Sequence, residues 1–198
     1  MLILQNPAYK PAFFMELKGI GIITTREFVK KNFSERYDEW LQSLPSDSRI
    51  YYNSNIDSRS WYSFKDSYAY PLDQIIKLFM DNDPIRAFEI GYFSANYALN
   101  SFFKAFLLFT SPAAYMNKAS KILNSYYMPS EIKVENIYES SITLRILYFP
   151  MITQSIEYRI AGWCVKSLET CGCKEVQYKI IESFACGQRS TLYEFNWK

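Results

Sequence analysis

The sequence predicts an α+β protein in which an N-terminal helical part is followed by an antiparallel-sheet part with the order ββαββ. Two observations predict it: apolar residues recur at helical spacing up to about residue 126, and they alternate with polar residues after Pro129. The length of 198 residues suits one domain with a sizeable core. We therefore expect a single domain over residues 1–198, with a helical part over about 24–126 and a sheet part over about 131–197.

The first elements are a strand and two helices. Residues 13–23 are β-like, with glycines that allow a bend. Thr24 or Thr25 then caps a helix, since Thr is a good N-cap residue. A second, short helix starts at Ser34 and ends before Pro45.

The middle of the chain is predicted to be a connection followed by three helices. Residues 46–70 are rich in Ser, Asp, Asn and Tyr, which predicts an extended surface connection with one short strand at Ile50–Asn53. Pro71 lies in the first turn of the next helix. A long helix over Pro84–Phe109, apolar on nearly all sides, should be buried, and a further helix follows over about Ala113–Ser125.

The C-terminal part has the pattern of a hairpin, a helix and two more strands. Ile132–Tyr138 and Ile142–Tyr148 alternate in polarity and flank a short polar turn. The helix is capped by Thr153 or Ser155 and closed by Gly172. The last two strands are predicted over 175–184 and 190–197.

Charge and hydropathy argue against nucleic acid and membrane partners. The 22 basic and 20 acidic residues are dispersed, with no run of four like charges that could follow a phosphate backbone. The N-terminus lacks the basic flank and long apolar stretch of a signal peptide. The longest apolar stretch, Phe102 to Met116, is interrupted by Lys104 and Pro112. We expect a cytoplasmic protein.

The chain contains no histidine, which removes Ser-His-Asp and Cys-His catalysis and histidine-ligated zinc or haem. Carboxylate pairs such as Asp81 and Asp83 sit at predicted helix ends, where capping explains them. Gly19-Ile20-Gly21 lacks the lysine and third glycine of a phosphate-binding loop. We therefore predict no catalytic residue and expect a protein that is not an enzyme.

The order of elements resembles the superfamily that joins haem-nitric-oxide/oxygen-binding domains, vinyl-reductase-type small-molecule-binding domains and Golgi transport-particle subunits. The resemblance spans about residues 13–197 and is clearest after Thr153. There, Ala161-Gly162-Trp163-Cys164 on a helix precede Cys186-Gly187 and a final strand with Tyr193-Glu194-Phe195.

The resemblance implies a haem-free bacterial relative. Haem-binding members carry a proximal histidine on the helix before the hairpin, where this chain has Ser120. They also hold the haem propionates with a Tyr-x-Ser-x-Arg motif, of which only Tyr148 remains. Without these contacts we expect haem to be absent and no cofactor, apart from a possible zinc ion.

The resembled fold has a cavity between its helical part and its sheet. An aromatic face of the long helix would line it and would suit a small apolar or aromatic ligand. The predicted ligand-binding residues are Phe88, Tyr92, Phe93, Tyr97, Phe103 and Tyr148. The alternative is that these side chains simply fill the core.

The four cysteines are candidates for a metal site or for free thiols. In the vinyl-reductase-type members, cysteines near the final helix and hairpin bind zinc with an acidic residue. The corresponding set here is Cys164, Cys171, Cys173 and Cys186, with Glu169 or Glu182 as an oxygen ligand. Unligated thiols or a thiol switch at Cys171 or Cys173 remain alternatives, because structural disulfides are rare in a reducing compartment.

Two functions are compatible with these patterns. The first is a non-enzymatic sensory domain that binds a small molecule and signals to a partner protein. The alternative is a structural or assembly protein that forms a dimer or a larger complex. An enclosed cavity favours the first, whereas a filled core with a large apolar surface patch favours the second.

Overall fold

The computed structural model describes residues 14–99 and 112–198 and has an α+β architecture. Its α-helices are α1 Gly19–Asn32, α2 Tyr37–Ser43, α3 Ser46–Asn53, α4 Tyr70–Phe79, α5 Ala87–Leu99, α6 Pro112–Tyr126 and α7 Gln154–Thr170. Its strands are β1 Glu16–Lys18, β2 Trp61–Ser63, β3 Tyr127–Met128, β4 Glu131–Ile137, β5 Ser141–Tyr148, β6 Gln177–Glu182 and β7 Thr191–Asn196.

The strands form two antiparallel sheets. The smaller sheet has the order β2-β1-β3, and Leu17 in its middle strand pairs with Tyr62 on one side and Tyr127 on the other. The larger sheet has the order β4-β5-β7-β6. The predicted ββαββ part is confirmed, because β4 and β5 form a hairpin, α7 follows, and β7 then pairs with both β5 and β6. The small sheet joins the start of the chain to the end of the helical part.

Helices α5 and α7 pack against each other at backbone distance, and two glycines make this possible. A Cβ atom on Gly91 would lie 1.8 Å from the carbonyl oxygen of Arg159, and one on Gly162 would lie 2.1 Å from that of Phe88. Real Cβ contacts are ordinary only at 3.4–4 Å. Any larger residue at either position therefore forces the helices apart.

The hydrophobic core at the junction of the two parts is aromatic. Phe64 is fully buried, and its ring lies 5.2 Å from Tyr68, 6.1 Å from Tyr127 and 5.6 Å from Phe149, measured between centroids. Two of these pairs are edge-to-face, the arrangement that aromatic quadrupoles favour. Much of the aromatic excess in the sequence is explained by such packing.

The prediction for the first strand and helix needs correction. The strand covers only Glu16–Lys18, and α1 begins at Gly19, not after a threonine cap. Tertiary contacts decide this start, since the Gly19 amide donates to the Ser60 carbonyl. Thr24 and Thr25 lie inside α1 and donate their hydroxyls to the Gly21 carbonyl, one turn earlier.

Residues 46–70 are not the predicted extended connection. Ser46–Asn53 forms helix α3, with Pro45 at its N-cap and the amides of Ser48 and Arg49 bonded to the Pro45 carbonyl. The predicted strand at Ile50–Asn53 is therefore wrong. Burial of Tyr52, whose ring packs edge-on against Trp40, stabilises this helix although few of its residues are apolar.

The predicted long helix is only partly described. Pro84–Arg86 forms a 3₁₀ turn, capped by the Asp83 side chain, before α5 begins. The predicted continuation over 100–109 lies outside the described residues. Within residues 14–99 and 112–198, no helix combines the length and apolarity needed to cross a membrane.

Candidate functional site

A cavity of about 40 Å³ lies between the helical part and α7. Elements from both parts of the chain form its walls, including α1, α5, α6 and α7. The lining residues are Leu17, Lys18, Ile20, Gly21, Thr24, Tyr68, Gly91, Ser94, Leu123, Tyr126, Tyr127, Arg159, Ile160 and Trp163. Apolar walls with a few polar groups are typical of small-molecule sites.

The guanidinium of Arg159 is the main charged group at this cavity. Only 3% of Arg159 is exposed. Its Nη2 donates to Thr25 Oγ1 at 2.9 Å and to Ser94 Oγ at 3.3 Å, and its Cζ lies 4.2 Å from the centroid of the Tyr68 ring. Its Nη1 is buried without a hydrogen-bond partner among the described residues. A cation is thus held inside the protein by neutral groups alone.

Two tyrosine hydroxyls meet at the cavity wall. Tyr68 and Tyr127 are both buried, and their hydroxyl oxygens lie 2.9 Å apart. Burial raises the pKa of Tyr127 well above its usual value, and the nearby Tyr68 raises it further, whereas the charge of Arg159 lowers it. Burial likewise raises the pKa of Tyr126. Tyr126 and Tyr127 are therefore neutral hydrogen-bonding groups at physiological pH.

The aromatic residues predicted to bind a ligand do not line this cavity. Phe88, Tyr92 and Phe93 line a groove on the outer side of α5, which is open to solvent. Tyr97 and Tyr148 are 42% and 45% exposed. Phe103 lies outside the described residues. The residues of α5 that line the cavity are Gly91 and Ser94. The predicted ligand contacts of these aromatic residues stay a prediction.

The structure does not bring the four cysteines together. Cys164 and Cys173 are buried, Cys171 is half-buried and Cys186 is exposed, and all four are free thiols. Within the described residues, no group of three His, Cys, Asp or Glu side chains could hold a metal ion. Burial raises the pKa of Cys164 and Cys171 to about 12 and that of Cys173 to about 11. These three thiols stay protonated at neutral pH, which opposes thiolate chemistry.

Comparisons with known proteins identify the fold. No protein-family model matches the chain, and no curated protein does. Among solved structures, the Fe(II)NO form of an H-NOX protein from S. oneidensis matches with a TM-score of 0.68 and 13% identity, over 92% of this chain and 99% of that one. The unliganded Fe(II) H-NOX protein from K. algicida matches with a TM-score of 0.65 and 14% identity, over 92% and 97%.

This chain has the H-NOX fold. The predicted resemblance to the haem-nitric-oxide/oxygen-binding superfamily is thereby confirmed at the level of the fold. A third neighbour, with a TM-score of 0.67 and 11% identity over 92% of this chain and 95% of that one, comes from a study of haem distortion in the H-NOX family.

These neighbours contradict the prediction that haem is absent. They are haem domains, so the fold they share with this chain points to haem. The prediction rested on the missing proximal histidine and the missing Tyr-x-Ser-x-Arg motif. The H-NOX fold is present without either of them. Haem therefore returns as a candidate ligand.

The cavity residues do not fit a haem in their present arrangement. The chain contains no histidine, and the lining residues with an oxygen ligand for iron are hydroxyl-bearing, chiefly the tyrosines. The raised pKa of Tyr126 and Tyr127 opposes their deprotonation to phenolates. The free volume of about 40 Å³ is also far below the roughly 300 Å³ or more of cofactor pockets.

Sequence reasoning missed Arg159, the most informative residue of the cavity. A signal was present, because Arg159 lies three residues after Ile156 and four before Trp163, which places it on the apolar face of α7. A charged residue on a buried helical face needs a partner or a function. The other missed residues, Tyr68 and Ser94, have no comparable signal.

Proposed function

We propose that this chain is a non-enzymatic sensory domain that binds a small molecule in the cavity between its helical part and α7. The observation that carries the proposal is the cavity itself, which holds a buried cation and hydroxyl groups between largely apolar walls. The H-NOX fold of the chain supports a sensory role, since the H-NOX neighbours include a protein studied in its NO-bound state.

The chemistry of the cavity favours binding over catalysis. Its lining residues include no Asp, Glu, Cys or His, so the described wall lacks an ordinary general base and a thiol nucleophile. The aliphatic hydroxyls that line it are already engaged: Thr24 donates to the Gly21 carbonyl and Ser94 to the Ile90 carbonyl. Such groups orient a ligand and do not activate it.

Helix α7 is suited to transmit occupancy of the cavity. It contributes Arg159, Ile160 and Trp163 to the wall, and it also packs against the larger sheet, where the Tyr193 hydroxyl donates to the Glu157 carbonyl. A ligand with different affinity for two positions of α7 would shift their populations. We propose that a partner protein reads this shift.

Native mass spectrometry, combined with an absorption spectrum, tests the proposal. The protein is purified under reducing conditions and measured as isolated and after incubation with haem. We expect a bound small molecule that Ser94→Leu removes by filling the cavity, and no Soret band after incubation with haem, because the cavity residues do not fit a haem. Asn96→Leu is the matched control, because Asn96 is exposed on the outer groove of the same helix.

An assembly protein is the second candidate function. It rests on large apolar side chains exposed on strands or turns of the larger sheet, namely Ile137, Tyr138, Leu147, Tyr148 and Ile181. A ligand-free dimer that Tyr138→Ser dissociates, and that Ser94→Leu leaves intact, would favour this second function and contradict the first.

A further inference from the structure

Arg159 is a buried cation to which the chain supplies no counter-ion. No ion pair joins it to any carboxylate among residues 14–99 and 112–198, and all 20 Asp and Glu residues of the sequence lie within those ranges. By contrast, Arg145 on β5 pairs with both Glu135 and Glu182 at the surface. Charged residues are almost never fully buried unless they are paired. A counter-ion from outside the chain would therefore complete the set of partners of Arg159.

The contacts of Arg159 orient it without neutralising it. The hydroxyl of Thr25 donates to the Gly21 carbonyl at 2.7 Å, and that of Ser94 donates to the Ile90 carbonyl at 2.7 Å. Each oxygen therefore turns a lone pair towards Nη2 of Arg159. The guanidinium carbon lies over the Tyr68 ring, 4.2 Å from its centroid. Nη2 is thus fixed, and Nη1 remains as a buried donor.

The tyrosine pair supplies a second donor. A hydrogen bond between the Tyr68 and Tyr127 hydroxyls uses one of their two hydrogens. The other hydrogen is available to an acceptor at the cavity wall, which both residues line together with Arg159. The cavity therefore presents a positive charge and hydrogen-bond donors, with no negative charge opposite them. This donor set matches an anion with acceptor oxygens.

We infer that the cavity binds a small carboxylate, whose oxygens accept from Nη1 of Arg159 and from the tyrosine pair. The inference rests on the proposed function and names the chemical class of its ligand. The volume of about 40 Å³ sets the size, since a water-sized sphere takes roughly 10–15 Å³. Formate and acetate suit this space as it stands, and a longer carboxylate requires its walls to move.

Thermal unfolding and calorimetric titration with acetate test the inference on the full chain. Acetamide, which has the same shape without the charge, and sodium chloride at equal ionic strength are the ligand controls. We expect calorimetry to show saturable acetate binding and the melting temperature to keep rising with the logarithm of the acetate concentration, because acetate binds the folded state alone. Acetamide and chloride should leave the melting temperature unchanged.

Variants of Arg159 identify the binding group. Arg159→Met should weaken acetate binding by about 10- to 100-fold, the loss expected for a charge-assisted hydrogen bond. Arg145→Met is the matched control and should bind acetate as the natural chain does, since Arg145 lies on the surface of the sheet. If Arg159→Met does not fold, acetate and acetamide are compared on the natural chain. Equal binding of the two compounds overturns the inference.

The outcomes separate this inference from the proposed function. Binding of acetamide that Ser94→Leu removes and Arg159→Met does not would overturn the anionic ligand and keep a ligand-binding cavity. An acetate response that survives both Ser94→Leu and Arg159→Met would place the ligand elsewhere and overturn both.

Discussion

Alanine at Gly91 or Gly162 should destabilise the protein through the contact between α5 and α7. A methyl group at Gly91 would lie 1.8 Å from the Arg159 carbonyl oxygen, and one at Gly162 would lie 2.1 Å from the Phe88 carbonyl oxygen. To raise these distances to at least 3.0 Å, the helices must separate by about 1.2 Å and about 0.9 Å, respectively. Forced repacking costs typically 1–3 kcal/mol, and obstruction by a backbone atom belongs at the upper end. We expect a loss of about 3 kcal/mol in the free energy of unfolding for each single variant, despite the better helix propensity of alanine.

The double variant should cost far less than the sum of the two. Both glycines lie at the same helix crossing, so a separation of 1.2 Å that admits the first methyl also admits the second. We expect about 3–4 kcal/mol for the pair against about 6 kcal/mol for additive effects, which gives a coupling of about 2–3 kcal/mol.

Urea unfolding followed by circular dichroism measures these free energies. Gly172→Ala is the matched control, because a Cβ there meets no atom within 4 Å and only the positive φ of 98° opposes it. That variant should lose about 1 kcal/mol. Strict additivity of Gly91→Ala and Gly162→Ala, or single losses no larger than that of Gly172→Ala, would refute the packing argument. Because Gly91 also lines the cavity, ligand binding should weaken in parallel.

Three further predictions concern stability. Tyr127→Phe removes one hydroxyl of the buried pair with Tyr68 and should cost about 1–2 kcal/mol in urea unfolding, whereas the double Phe variant should cost less than the sum of the singles. Thr153→Ala should lose about 1 kcal/mol, because the Thr153 hydroxyl caps α7 by accepting from the Ile156 amide, and Thr153→Ser should restore it. Burial raises the pKa of Cys164 from 9.0 to about 12, so the unfolded chain loses this proton first as the pH rises. Stability should therefore fall above pH 9 by up to about 1.4 kcal/mol per pH unit, and Cys164→Ala should flatten this slope by that amount; an unchanged slope in the variant would contradict the assignment.

The sequence predicts best those elements that depend on local residues and on periodic patterns. The hairpin of β4 and β5, the Thr153 cap and the turn at Gly172, which has a positive φ, each follow from nearby residues. Helix α3 and the start of α1 do not, because contacts with distant elements decide them. The Gly19 amide, for example, donates to the Ser60 carbonyl, and no local pattern predicts that hydrogen bond.

The candidate site was harder to predict than the fold, because the sequence shows which residues are aromatic but not which way they face. The apolar residues of α5 surround the helix, so periodicity could not separate its cavity side from its outer groove. Gly91 and Ser94, the residues that do reach the cavity, are small. Their small side chains leave the space that forms the cavity.

Helix α7 carries two buried charges, Glu157 and Arg159, which differ in how they are satisfied. Two residues along a helix turn the side chain by about 200°, so the two face opposite sides. On the sheet side, Glu157 accepts from the hydroxyls of Ser183 and Thr191 and from the Ala185 amide. On the cavity side, Arg159 keeps one donor unsatisfied. The sheet side is complete within the chain, whereas on the cavity side we propose that a ligand completes the set of partners. An anion at Arg159 would therefore act on the helix that also anchors the loop between β6 and β7. Through this helix the cavity is linked to the surface of the protein.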